Sequence, residues 1–234
     1  KINEKIADII SPFADEVKID DLGNVIAVKR CGKENAKRIM IEAHADEIGL
    51  MVTKIDDRGF IAFTNVGGVD ERILPACEVV VHGKKDVLGV IGSKPPHLQT
   101  AKDRGKSVKM CDMYIDTGMS CEEVKELICI GDSITLSQSV GSLSEDVFSG
   151  KCLDDRAGAA AVITVLKNLQ KSVLDFDVYA VIAVQEEVGL RGAIVAGHQI
   201  NPDISVDVDV TFDTSKCTAI SKEKCGDIEL GKGV

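Results

Sequence analysis

With 234 residues, 44% of them hydrophobic and 28% charged, the chain carries enough apolar material for one large domain or two modest ones, and no low-complexity tract. Its 38 acidic against 28 basic residues give a formal charge of -10, which repels phosphate backbones and anionic lipid, so neither nucleic acid nor a membrane is an expected partner. No stretch reaches the roughly 18 apolar residues of a membrane span, and the eight cysteines form no CxxC pair, so a cytoplasmic protein with reduced thiols is expected.

The opening KINEKIADII is amphipathic and charged, unlike a signal peptide, and predicts a helix over 4–13. Two strands, 16–20 and 25–29, follow and turn at LGN. After the polar loop CGKENAK comes RIMIEAHADEIGLMV. Its short β-prone run Ile39, Met40, Ile41 reads as a strand buried on both faces and ends at His44. From about Gly49 to Leu136 short strands alternate with glycine-rich turns, interrupted by one helix at CEEVKELI, which predicts a small barrel or sandwich. From Lys151 the segments lengthen into a helix (DRAGAAAVITVLKNLQ), a strand (DVYAVIAV), a helix (LRGAIVAGHQ) and a strand (ISVDVDV). That alternation predicts a mostly parallel sheet with helices on its faces. The expected organisation is an α/β domain formed by 1–48 and 140–234, with a β-rich domain, 49–139, inserted into it.

In open parallel sheets ligands bind beyond the carboxyl ends of the strands. Here RIMIEA ends at His44, with Asp46 two residues on. DVYAVIAV ends at Gln185 and the pair Glu186 and Glu187, and ISVDVDV carries Asp207 and Asp209. Asp154 and Asp155 stand before a helix, where a carboxylate also suits the N-terminal dipole. Singly each has a plain explanation: Asp155 as an N-cap, the Glu pair as a solvated loop, His44 as a hydrogen-bonded polar residue. Together, one imidazole and several carboxylates at one sheet edge repel each other unless a cation neutralises them. This donor set suits zinc, cobalt or manganese, and an aspartate can bridge two such ions.

The stretches AHADEIGLMV, SGKCLDDRAGAA, VQEEVGLRGA and VDVTFDT, in this order, resemble the tetrahedral or glutamyl aminopeptidases, a group also labelled endoglucanases. The middle portion, in ERILPACEVVVHGKKDVLGVIGSKPPHL, DMYIDTG and ICIGDSITL, is similar to their inserted dimerisation domain. The resemblance implies an α/β metallopeptidase domain holding two divalent metal ions, zinc, cobalt or manganese. It makes His44, Asp154, Glu187 and Asp209 the metal ligands, with Asp154 bridging, Glu186 the general base and Asp46 the carboxylate behind His44. Asp207, on the same strand face, is the rival to Asp209. Peptides are the implied substrates, with self-association through the inserted domain into dimers or a dodecamer.

His82 and His97 fall in the inserted domain and read as structural. His198, near the end of a helix, reads as a solvated or capping residue. Relative to the family, the chain starts late and stops before a last histidine ligand, so it reads as a fragment. The rival reading is an inactive homologue with an assembly or regulatory role. Carbohydrate hydrolysis is disfavoured, because a sugar cleft is usually lined with aromatics and this chain has no Trp and 3% aromatic residues.

Overall fold

The structure, a computed structural model, describes residues 2–95, 106–215 and 222–232. In chain order it begins with α1 (Ile2–Ile10), a 3₁₀ turn over Ser11–Phe13, β1 (Glu16–Ile19), β2 (Val25–Lys29) and β3 (Lys37–His44). Then come β4 (Gly49–Ile55), β5 (Ile61–Val66), β6 (Glu78–His82), β7 (Asp86–Gly92), β8 (Tyr114–Asp116), α2 (Cys121–Leu127) and β9 (Ser133–Leu136). A two-residue ribbon of β10 (Gly141–Ser142) and β11 (Phe148–Ser149) precedes α3 (Leu153–Leu169), β12 (Phe176–Ala183), α4 (Arg191–Ile200), β13 (Ile204–Asp207) and α5 (Lys222–Cys225). The helix expected over 4–13 stops at Ile10, because Pro12 lacks the N–H that a continuing α-helix needs and the chain tightens into the 3₁₀ turn.

The chain divides into two compact units: 1–45, 153–186 and 191–234 form the first, and 46–152 with 187–190 the second. The first is a three-layer α/β unit. Its sheet has the order β1-β2-β12-β3-β13. The side next to the hairpin is antiparallel, β1 with β2 and β2 with β12, while β12, β3 and β13 run parallel, so the sheet is mixed. Alternate residues of β2 and β12 feed opposite cores. Val25, Ala27, Val178, Ala180 and Ile182 pack against Ile6 and Ile10 of α1 and Ala159, Val162 and Leu166 of α3. Ile26, Val28, Val181 and Ala183 join Met40 of β3 and Ala196 and Ile200 of α4 on the other face. Burial on both faces explains why these strands are apolar almost throughout. On β3 the even positions, Met40, Glu42 and His44, share the α4 face.

The second unit is a closed six-stranded barrel, β4-β5-β8-β7-β6-β9. The strict alternation of β7 gives it one face inward, Val87 and Ile91 among them, and the interior is filled by Leu50, Val52, Ile61, Val79, Val81, Ile115 and Ile134. Closure leaves no strand edge open. Helix α2 starts on a complete capping box, Ser120 with Glu123, and adds Val124 to this core. His82 bridges three strands of the barrel, with Nδ1 2.8 Å from Asp86 Oδ1 and Nε2 2.9 Å from Thr135 Oγ1. The seven described cysteines are free thiols, and no described helix is long and apolar enough to cross a membrane. His97 and Cys217 lie outside the described residues.

Candidate metal centre

The site forms where the parallel strands of the first unit end. β3 and β12 pair in parallel with His44 opposite Ala183, and Ala45 N donates to Ala183 O at 3.0 Å, so His44 and the turn carrying Glu186 leave the sheet side by side. β13 lies on the other flank of β3, with Asp207 opposite Glu42, and Val208 N continues the pairing to Glu42 O at 2.8 Å. Asp209 follows two residues beyond Asp207. Asp154 and Asp155 reach the same edge from the start of α3, where both depart from helical dihedrals and Arg156 Nε holds Ala45 O at 3.2 Å.

Three ligand atoms, one each from His44, Asp154 and Asp209, all lie within 4.8 Å of one another. His44 is 2% exposed, and its Nε2 stands 3.1 Å from Asp154 Oδ1 and 3.7 Å from Glu186 Oε2. Asp209, not its rival Asp207, belongs to this trio; Asp207 accepts from Ser205 Oγ at 3.0 Å one rung down the sheet. Asp155 is fully buried and accepts from Gly158 N at 3.0 Å, which is the helix-capping role considered for it. Asp46 and Glu187 belong to the second unit, where Glu187 N donates to Asp46 Oδ2 at 3.3 Å.

Electrostatics favour a cation. Burial pushes the Asp155 carboxyl above its ordinary range, and nearby Asp209 adds to the rise against the amides of Gly158 and His44. Glu42 is raised to about 7, first by burial and then by Asp207, with Asp155 and Glu186 adding and His44 opposing. Among the described residues, Glu42 Oε1 and Asp155 Oδ2 are buried acceptors without a hydrogen-bond donor. Orphaned carboxylate oxygens flanking an imidazole are costly unless positive charge is supplied. The residues therefore fit a divalent ion of the zinc, cobalt or manganese kind.

Two polar residues in this region escaped sequence reasoning. Glu42 interrupts the apolar run of β3 two positions before His44, and period-two alternation places it on the same face. Asn24, fully buried behind the Gln185 turn, has only a loop-like Gly-Asn pair as its signal.

The sheet of the first unit thus gathers an imidazole and several carboxylates at the ends of its parallel strands, a candidate metal site in a chain that also forms a closed β-barrel. The chain belongs to the M42 glutamyl aminopeptidase family, whose model matches residues 23–234. It is 40% identical over 238 residues to the lysyl aminopeptidase of Pyrococcus furiosus, covering 99% of this chain and 66% of that protein. Among solved structures, the TET aminopeptidase from a marine sediment thaumarchaeal archaeon superimposes with a TM-score of 0.91 at 33% identity, over 99% of this chain and 65% of that one. The TET1 peptidase of Pyrococcus horikoshii, described as assembling into a tetrahedron or a large octahedral shell, gives 0.84 at 37% identity, over 99% and 67%. The chain thus spans about two thirds of the length of these relatives.

Proposed function

We propose that the intact protein is a metal-dependent aminopeptidase that removes N-terminal residues from peptides, with Glu186 as general base. The observation that carries this reading is the convergence of His44, Asp154 and Asp209 at one sheet edge, with Glu186 Oε2 3.7 Å from His44 Nε2. His44, Asp154 and Asp209 would hold one divalent ion, zinc, cobalt or manganese, and the motif of Asp154 implies that it would also serve a second. Glu187 as a ligand of the second ion and Asp46 as the carboxylate behind His44 keep the roles that their motifs imply. A bound ion supplies Lewis acidity toward the scissile carbonyl and makes a water easier to deprotonate.

The chain's own residues do the rest. Buried His44 fixes the position of the centre. Glu186 takes a proton from the attacking water and returns it to the leaving amine, work that needs a carboxylate near the ions but not committed to them. The names of the lysyl and TET relatives support peptides as substrates. The assembling TET1 relative supports self-association, for which the barrel is the proposed surface, and a cytoplasmic location belongs to the same proposal. An inactive assembly protein is not favoured, because the family match runs through all four motifs.

The test is Glu186→Gln in the intact protein. Hydrolysis of amino-acid anilides is expected to fall about 10²- to 10⁴-fold while metal content, by elemental analysis, stays at the parent level. Loss of metal, or activity close to the parent's, refutes the assignment.

A further inference from the structure

Asn24 is fully buried, although nothing in the proposed chemistry uses it. It stands between the turn over 20–23 and β2, and its side chain reaches segments far along the sequence. Its Oδ1 accepts from Val184 N at 3.1 Å, while Nδ2 donates to Gly192 O at 3.0 Å and to Asp20 Oδ2 at 2.8 Å. Both amide protons and the carbonyl are thus engaged. Asp20 is itself anchored, since its Oδ1 accepts from the amides of Leu22, Gly23 and Asn24 at 3.0, 2.8 and 2.9 Å.

Val184 and Gly192 bracket the turn from which Glu186 projects. Gly192 N donates to Val184 O at 2.9 Å and Arg191 N to Gln185 O at 3.2 Å, with Gln185 in the left-handed region at φ 60. The approach is so close that a Cβ on Gly192 would stand 2.2 Å from Val184 O and 2.5 Å from Asn24 Oδ1. We propose that Asn24 is the positioning residue for Glu186, setting through Val184 and Gly192 the direction in which the Gln185–Glu186 turn leaves β12. The inference rests on the reading of Glu186 as general base. The chemistry at position 24 must be that of an amide. A carboxylate would turn oxygen toward Gly192 O and Asp20 Oδ2, and an apolar side chain would leave Val184 N–H unpaired in a buried place and remove the tie from Asn24 Nδ2 to Gly192 O.

The experiment is a double-mutant cycle in the intact protein, with Asn24→Ala, Glu186→Gln and both together, assayed on an amino-acid p-nitroanilide. Asn24→Ala is expected to lower kcat roughly 10- to 100-fold, the scale of a general base displaced by about an ångström, with KM and metal content unchanged. In the Glu186→Gln background it should cost nothing further, because the misplaced group is already gone. Equal losses in both backgrounds, loss of metal, or a lowered Tm with unchanged kcat would each overturn the role. If Asn24→Ala does not fold, Asp20→Ala, which removes one acceptor of the amide, carries the same cycle with a smaller effect, and full activity there is the overturning result. A parent that hydrolyses no anilide defeats the aminopeptidase reading and the Asn24 role with it, and is seen before any variant is made.

Discussion

His44 Nε2 and Asp154 Oδ1, 110 residues apart in sequence, stand 3.1 Å from each other, with the imidazole side chain 3% and the carboxylate 61% exposed. The pair joins a fixed post to a partner open to solvent. The post is the end of β3, locked by its parallel pairing to β12, and the partner comes from the irregular first turn of α3.

From this relationship His44→Ala is expected to weaken divalent-cation binding by more than the roughly 10- to 100-fold that loss of an outer partner causes, because a buried ligand is removed outright. Calorimetric titration of the apo protein with zinc reads it. An isotherm like that of the parent would mean that the cation is held elsewhere.

Acid stability is expected to depend on Asp177, at the start of β12. Burial by itself raises the pKa of this carboxyl, but Cys31 N at 2.9 Å and Arg30 Nη1 at 2.9 Å outweigh it and hold the group below its ordinary 3.8. A depressed carboxylate pKa means that the native state binds the proton less readily than the unfolded chain. The contribution is therefore complete above pH 3.8 and disappears as pH falls through the lower native value. Asp177→Asn should cost about 1–2 kcal/mol near neutrality, a modest figure because Arg30 is partly exposed. Urea denaturation of both proteins at a series of pH values should show the gap closing in acid, and a gap that widens there would contradict this account.

Within the barrel, Gly83→Ala should destabilise the second unit. A Cβ at this position would lie 2.3 Å from Leu127 O, a backbone atom already engaged by Lys84 N at 2.8 Å. Because backbone cannot step aside as a flexible side chain does, the expected cost is about 1–3 kcal/mol. Thermal unfolding is the measurement, and a Tm equal to the parent's would show that the turn relaxes freely.

The sequence by itself determined most of the element pattern and the chemistry that could occur. The end of β3 at His44 was legible because the apolar run stops there, and a small β-rich unit was legible from short alternating strands between glycines. Its closure into a barrel was not, since closure depends on β9 pairing with β4, and no local signal encodes a pairing between strands some 80 residues apart. Between Asp207 and Asp209, which lie on one strand face by period, the motif already favoured Asp209, but that its ligand atom lies within 4.8 Å of those of His44 and Asp154 is a fact of the tertiary structure alone. Asn24 and Glu42 show the same division. In sequence one is a turn residue and the other an odd charge in a strand, while burial of one against Val184 and Gly192 and of the other beneath His44 is created only when strands distant in sequence come together, because a polar group's cost or use depends on what excludes water from it.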